Sequence, residues 1–216
     1  MTDNRIELLR ELLARRARLW VSPPLAPRRP DHSVLVLDES GSMEDLDISP
    51  TRYLAGVAAA AEYMEERLRG SPADTCSIVL FNGRSRVLFE RRPLGDSRQA
   101  MVERLRSIEP DDGTDIEKGL LAAQRLLTRV DGEYRQRIVL LTDGHGGRPE
   151  RVAAELKRAG VLIDVIGVGG TPAAVNEVCL RAVASVVDGK SRYRFITNRA
   201  ELADHFRSIA TGLVRV

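Results

Sequence analysis

Asp38-Glu39-Ser40-Gly41-Ser42-Met43 follows directly on the apolar run Val34-Leu35-Val36-Leu37. A carboxylate and two hydroxyls at alternate positions, just past a buried strand, set three oxygen ligands around one point. Oxygen-only ligation suits a hard cation such as Mg²⁺. Two later segments carry what such a site still needs: Thr114 in Asp111-Asp112-Gly113-Thr114, and Asp143 in Leu140-Leu141-Thr142-Asp143-Gly144. Two carboxylates and three neutral hydroxyls roughly balance a divalent charge. Mg²⁺ keeps several waters and wants octahedral geometry, so few of these oxygens need bind it directly. The chemistry is metal-dependent binding, not catalysis.

These residues need a scaffold that brings three distant segments together. From Ser33 onward the sequence alternates short apolar strands with amphipathic helices. Strands are expected at Ser33 to Leu37, Ser77 to Phe81, Ser85 to Phe89, Arg137 to Leu141, Leu162 to Gly167 and Tyr193 to Ile196. Most are rich in Val, Ile or Leu and bounded by turn residues, as strands buried on both faces should be. Helices are expected over about Thr51 to Arg69, Ser97 to Ile108, Pro149 to Ala159, Pro172 to Ala184 and Arg199 to Leu213, with another starting at Thr114. The first has Leu54, Val57, Ala61, Met64 and Leu68 on one face, and its run Gly56 to Ala61 is small enough to lie close against a sheet. Ile116, Leu120, Ala123 and Leu127 face inward on the helix from Thr114. Asn82-Gly83-Arg84 gives hairpin spacing between two strands.

The expected fold is α/β: a doubly wound, Rossmann-like, mostly parallel six-stranded sheet with one antiparallel edge strand and helices on both faces. Such folds bind ligands past the carboxyl ends of the strands, at the switch point. In a 3-2-1-4-5-6 order the strands ending at Asp38 and Asp143 flank that point. Ahead of this domain (31–216), residues 1–30 form an appendage. Ile6, Leu9, Leu13, Ala17 and Trp20 recur at helical spacing from about Arg5 to Trp20, and Ser22 to Pro30 is a proline-rich linker. The helix either packs on its own domain or docks into a partner or second copy.

With these segments in place, the chain resembles the von Willebrand factor A domain family. Asp38, Ser40 and Ser42 match its metal-ion-dependent adhesion site signature, Asp-x-Ser-x-Ser, and Thr114 and Asp143 match its later Thr and Asp. The resemblance covers about Asp31 to Val214 and leaves the appendage unaccounted for. It implies a site for Mg²⁺, with Mn²⁺ or Ca²⁺ as substitutes, whose coordination is completed by a carboxylate from a partner protein. It also implies Ser40, Ser42 and Thr114 as direct or exchangeable ligands, with Asp38 and Asp143 direct or through water. Intracellular bacterial members often work beside AAA+ ATPases or in multi-protein assembly and signalling systems. A MoxR-type AAA+ ATPase is thus a family-level expectation for the partner.

Each residue also has a plainer explanation. Thr114-Asp115-Ile116-Glu117 is a capping box, so Thr114 can simply start its helix. Ser40 and Ser42 fit turn positions, and Asp143-Gly144 fits an ordinary turn after a strand. Around the five residues, Gly41, Asp112, Gly113, Asp115, Gly144 and His145 are expected at the rim or in supporting positions. Two more carboxylates on the ion would over-bind it, so Asp112 and Asp115 read as surface residues. His145 belongs to a glycine-rich rim, since imidazole suits softer ions. Glu39 points away by alternation and reads as solvated. Asp45 and Asp47 would make the rim acidic, at odds with an acidic partner.

The bulk composition excludes several classes. The 216 residues are 43% hydrophobic and 30% charged, as in a soluble globular domain. Lys plus Arg of 33 against Asp plus Glu of 31 gives net +2, and aromatics are 4%, so neither a basic surface nor stacking platforms point to nucleic acid. No apolar run approaches the ~20 residues of a membrane span. The N-terminus lacks a secretory pattern, and Cys76 and Cys179 make no metal-type spacing. Cys76 reads as a small buried hydrophobe. The expectation is a cytoplasmic protein with no membrane or nucleic-acid partner. Two rival functions stand beside metal-dependent protein binding. A Mg²⁺-dependent phosphoryl hydrolase with Asp38 as nucleophile would need a second acid two positions on, where this chain has Ser40. A metal-independent scaffold would keep the motif without its function.

Overall fold

The structure, a computed structural model, describes residues 29–111, 113–130, 132–144 and 146–212. The expected N-terminal helix lies outside the described residues. Among the described residues there are eight strands: β1 (Asp31–Asp38), β2 (Thr75–Phe81), β3 (Ser85–Pro93), β4 (Arg135–Thr142), β5 (Leu162–Val168), β6 (Val186–Val187), β7 (Lys190–Ser191) and β8 (Tyr193–Ile196). Six helices connect them: α1 (Arg52–Gly70), α2 (Leu94–Arg106), α3 (Ile116–Leu127), α4 (Glu150–Arg158), α5 (Glu177–Val183) and α6 (Arg199–Thr211).

The main sheet runs β3-β2-β1-β4-β5-β8, parallel except for β3 against β2. This is the expected order, with the antiparallel strand at one edge. The chain builds outward from β1 to β3, then crosses back to lay β4 on the other side of β1. Every residue of β1 is buried. Leu35 and Leu37 join the core formed with α1, α2 and α6, while Val34 and Val36 join the core formed with α3, α4 and α5. The two-residue period of the strand feeds two hydrophobic layers.

The small run in α1 has the expected use. A Cβ on Gly56 would lie 2.4 Å from Leu141 Cδ2 of β4, so the helix rests directly on the strand that leads to Asp143. Leu54, expected inward, is instead exposed at 36%. Its neighbours Tyr53 and Ala55 are buried, and Leu54 falls on the outward face of α1 with Ala58, Ala61 and Glu62. Ile116, Leu120, Ala123 and Leu127 are buried as expected. The helix expected over Pro172 to Ala184 is broken: a 3-10 turn covers Pro172–Ala174, and α5 begins only after Asn176, whose side chain accepts from Cys179 N. The β6–β7 hairpin was not expected; its strands are two residues each and leave no periodic signal. Cys76 and Cys179 are buried free thiols, and burial pushes Cys76 up to about 12.

The amino ends of the strands carry buried ion pairs. Arg67 Nη2 lies 2.8 Å from Asp31 Oδ2 and also pairs with Asp74, while Nη1 donates to Ala210 O of α6 at 2.8 Å. All three charged residues are 2% exposed or less. This network stands at the end of the sheet opposite Asp38.

Candidate metal centre at the carboxyl ends of the central strands

β1 delivers Asp38 to the top of the sheet, where it is fully buried. The chain then turns, and Ser40 N donates to Asp38 Oδ1 at 2.8 Å. On the neighbouring strand, one step past the Leu37–Leu141 pair, Thr142 Oγ1 donates to Asp38 Oδ2 at 2.5 Å. Both carboxylate oxygens are thereby fixed. Burial, with a smaller push from neighbouring Asp143, raises the Asp38 carboxyl to about 7 in spite of the hydrogen bonds from Ser40 and Thr142.

After Asp38 the backbone forms a 3-10 turn over Gly41–Glu44, with Met43 fully buried beneath it and Ser42 exposed above. Ser40 occupies the cap position of this turn but makes no side-chain capping bond. Its hydroxyl instead lies 3.2 Å from Ser42 Oγ. Ser42 Oγ donates in turn to Asp143 Oδ2. Arg52 Nη1 lies 3.4 Å from the same oxygen. The other oxygen, Asp143 Oδ1, is buried and has no hydrogen-bond partner. Buried polar atoms are rarely left so.

Thr114 is half-buried, and it does not cap its helix. The cap of α3 is Asp115, whose Oδ1 accepts from Lys118 N at 3.2 Å. The capping-box explanation for Thr114 is therefore corrected. The loop carrying it packs on the loop after Asp143: a Cβ on Gly146 would come within 2.0 Å of Thr114 O, and one on Gly147 within 2.7 Å of Asp115 Oδ1. Gly144 has φ +82, and its N donates to Thr142 Oγ1 at 2.9 Å. Gly113, at φ +89, packs on the backbone of Gly83. Gly41 is half-buried within the serine turn. Asp112 and His145, expected at the rim, lie outside the described residues.

Two expectations about the surroundings change. Glu39 is only 6% exposed rather than solvated. Arg86 of β3 donates to both its oxygens, at 3.0 and 2.6 Å. The acidic loop is not a bare acidic rim either. Arg52 Nε and Nη2 donate to Asp47 at 2.8 and 2.6 Å, and Nη2 lies 3.0 Å from Asp45 Oδ2. Arg52 holds the Asp47 carboxyl below its usual range.

Reading the sequence missed Thr142 and Arg52. Thr142 had a signal in its place directly before Asp143 at the end of a strand. Arg52 had none, because a charged residue opening a helix normally reads as solvated.

The donor set is two carboxylates and a group of hydroxyls. Among the described residues no three or more His, Cys, Asp or Glu side chains gather as a metal cluster. Any ion here would depend on serine and threonine oxygens, which suits a hard cation and not zinc. The unpartnered Asp143 Oδ1 beside Asp38, Ser40 and Ser42 fits such an ion.

Residues 33–145, just over half of the chain, match the family model of the von Willebrand factor type A domain. A curated relative, a UPF0353 protein of Mycolicibacterium paratuberculosis, is 27% identical over 128 residues, which is 57% of this chain. The match spans 37% of that relative's length. The crystal structure of BatB from Bacteroides thetaiotaomicron superposes with a TM-score of 0.68 at 21% identity, covering 84% of this chain and 98% of that one. The vWF domain of the type V pili tip protein Mfa5 from Porphyromonas gingivalis gives 0.74 at 15% identity, covering 88% and 98%. At such identities the structural matches establish the fold. Among the described residues no helix is long and apolar enough to cross a membrane. With its family match and its β3-β2-β1-β4-β5-β8 sheet, the chain belongs to the von Willebrand factor type A domain family, whose members are protein-interaction modules.

Proposed function

We propose that this domain binds a protein partner through a divalent cation, Mg²⁺ in the first instance, held by Asp38, Ser40, Ser42, Thr114 and Asp143. The observation that carries the reading is Asp143 Oδ1: a carboxylate oxygen, buried and without a partner, beside a second buried carboxylate and two serine hydroxyls. Leaving such an atom unmet is costly, and a cation would meet it. A bound ion would supply a Lewis-acidic position to which an acidic side chain of the partner can bind. Asp38 is held rigid by Ser40 and Thr142, and Ser42 is exposed at the mouth. A carboxylate bound there would act as a central anchor within a wider interface.

The partner expected from the resemblance, a MoxR-type AAA+ ATPase or another component of a bacterial multi-protein system, belongs to this proposal. So does a cytoplasmic setting, which the free thiols suit. The hydrolase alternative is weakened because it needs a second acid two positions past Asp38, where the chain has Ser40. A metal-independent scaffold gives no reason for an orphaned oxygen on Asp143.

The test is thermal unfolding with Mg²⁺ or Mn²⁺ against EDTA, on wild type and Asp38→Ala. Ligands that bind the folded state raise the midpoint. A saturable rise in wild type that is lost in the variant supports the site; equal midpoints in metal and EDTA up to millimolar metal contradict it.

A further inference from the structure

Arg52 opens α1 and is 6% exposed. The amino end of a helix carries partial positive charge and disfavours a cation there, so its partners must account for its position. One guanidinium joins two groups. Its Nε and Nη2 grip Asp47 at 2.8 and 2.6 Å, with Asp45 at 3.0 Å. Its Nη1 reaches Asp143 Oδ2 and Ser42 O, both at 3.4 Å. Asp47 is itself backed by the loop after β5, where a Cβ on Gly170 would come within 2.9 Å of Asp47 Oδ2. The tight contacts go to the acidic loop and the long ones to the metal centre.

We propose that Arg52 is a tethered counter-ion that sets the affinity of the centre for metal: it shares its charge with Asp143, and Asp45 and Asp47 hold it back. The inference rests on the metal-centre reading and adds a residue outside the ligand set. A divalent ion beside Asp143 must work against a fixed positive charge one side chain away, in a setting where buried charges are poorly screened. The ion alone is then held weakly. A partner carboxylate adds the negative charge that offsets Arg52 and completes the balance. Neutralised Asp45 and Asp47 also remove the repulsion that an acidic partner would otherwise meet at the rim.

The experiment is calorimetric titration of Mg²⁺ alone into the EDTA-stripped protein, near neutral pH, for wild type, Arg52→Gln, Arg52→Lys and Asp45→Asn/Asp47→Asn. Thermal midpoints in EDTA report whether each variant folds. Arg52→Gln is expected to bind Mg²⁺ about tenfold tighter than wild type. Arg52→Lys keeps the charge and should stay within roughly threefold of wild type. The double Asn variant leaves Arg52 in place without its tether and should bind about tenfold more weakly. If Arg52 only braced the loop, both Arg52 variants would bind metal more weakly, and that result overturns the inference. So does a double Asn variant with unchanged or tighter binding, which needs no Arg52 variant to fold. Absence of Mg²⁺ binding in all four proteins would remove the metal-centre reading and this inference with it, whereas binding in wild type with the wrong order among variants removes only the inference.

Discussion

Thr142 Oγ1 on β4 donates to Asp38 Oδ2 on β1 at 2.5 Å and accepts from Gly144 N at 2.9 Å. One hydroxyl therefore ties the carboxylate that ends one central strand to the turn that follows the other. It fixes one oxygen of Asp38 while the backbone of Ser40 fixes the second. Thr142→Val keeps the shape and removes the hydroxyl, leaving a fully buried carboxylate oxygen and a backbone N–H unmet. Destabilisation of about 1–3 kcal/mol is expected in EDTA, together with weaker Mg²⁺ binding. Urea unfolding and metal titration check the two effects; unchanged stability would mean that Asp38 is held by other groups.

The close approach of α1 to the sheet gives a second prediction. Gly56→Val would drive a branched side chain into Leu141, whose Cδ2 already lies 2.4 Å from the position of an added Cβ. Overpacking of this kind costs about 1–3 kcal/mol. The displaced strand leads to Asp143, so metal affinity should fall along with the unfolding midpoint. A variant as stable as wild type would mean that the helix can lift without loss.

Most of the fold was legible before the structure. The buried strands announced themselves as apolar runs, and the order around β1 followed from one hairpin spacing and the alternation with helices. Contacts between distant residues could not be read. Glu39 alternates with Asp38 and so was placed in solvent, yet its partner Arg86 lies across the sheet on β3. Thr114 and Asp115 both satisfy a capping pattern, and the competition between them is decided by backbone geometry: Asp115 takes the cap. At Pro172 to Ala184 the apolar spacing continues through Val175, Cys179, Leu180 and Val183, but Asn176 starts a new helix by capping Cys179 N. The five residues expected at the metal were picked out by their spacing after the strands together with the resemblance to the von Willebrand factor A signature. Arg52, which bridges them to the acidic loop, was invisible because its role exists only in three dimensions.

The buried ion pairs at the far end of the sheet predict a change that separates stability from binding. Arg67→Met would take the guanidinium from buried Asp74, remove one arginine contact from Asp31 (Arg135 Nε stays 2.7 Å from Asp31 Oδ1) and release Ala210 O of α6. Removing one member of a buried pair costs about 3–5 kcal/mol. Thermal unfolding in EDTA should show a large fall in the midpoint, while the added stabilisation by Mg²⁺ should persist. Loss of the Mg²⁺ increment in a folded variant would couple the two ends of the sheet.

Two buried histidines set a pH dependence. His32 Nδ1 lies 2.8 Å from Thr75 Oγ1 and Nε2 3.2 Å from Ser77 Oγ, and burial with help from Arg91 lowers its pKa from 6.5 to about 4. His205 is lowered to about 4 as well, by burial and then by Arg194 and Arg192, with Glu201 opposing. Between about 4 and 6.5 the unfolded chain binds protons at these sites that the native state does not, so their contribution favours unfolding as the pH falls through that window and is flat above it. Each contributes about 1.4 kcal/mol per pH unit there at most. Urea midpoints for wild type and His32→Gln/His205→Gln should converge on acidification, because the variant loses this part of the slope. Parallel curves across the window would contradict the assignment.

The central claim is that serine hydroxyls and two buried carboxylates make a single divalent site. Its most direct test is Mn²⁺ binding at equilibrium, with free Mn²⁺ followed by electron paramagnetic resonance, in wild type and Ser40→Ala/Ser42→Ala. The double variant leaves both carboxylates in place and removes only hydroxyls. Wild type should show one saturable site, and the variant at least about tenfold weaker binding. No saturable binding in wild type, or equal binding in both proteins, would contradict it.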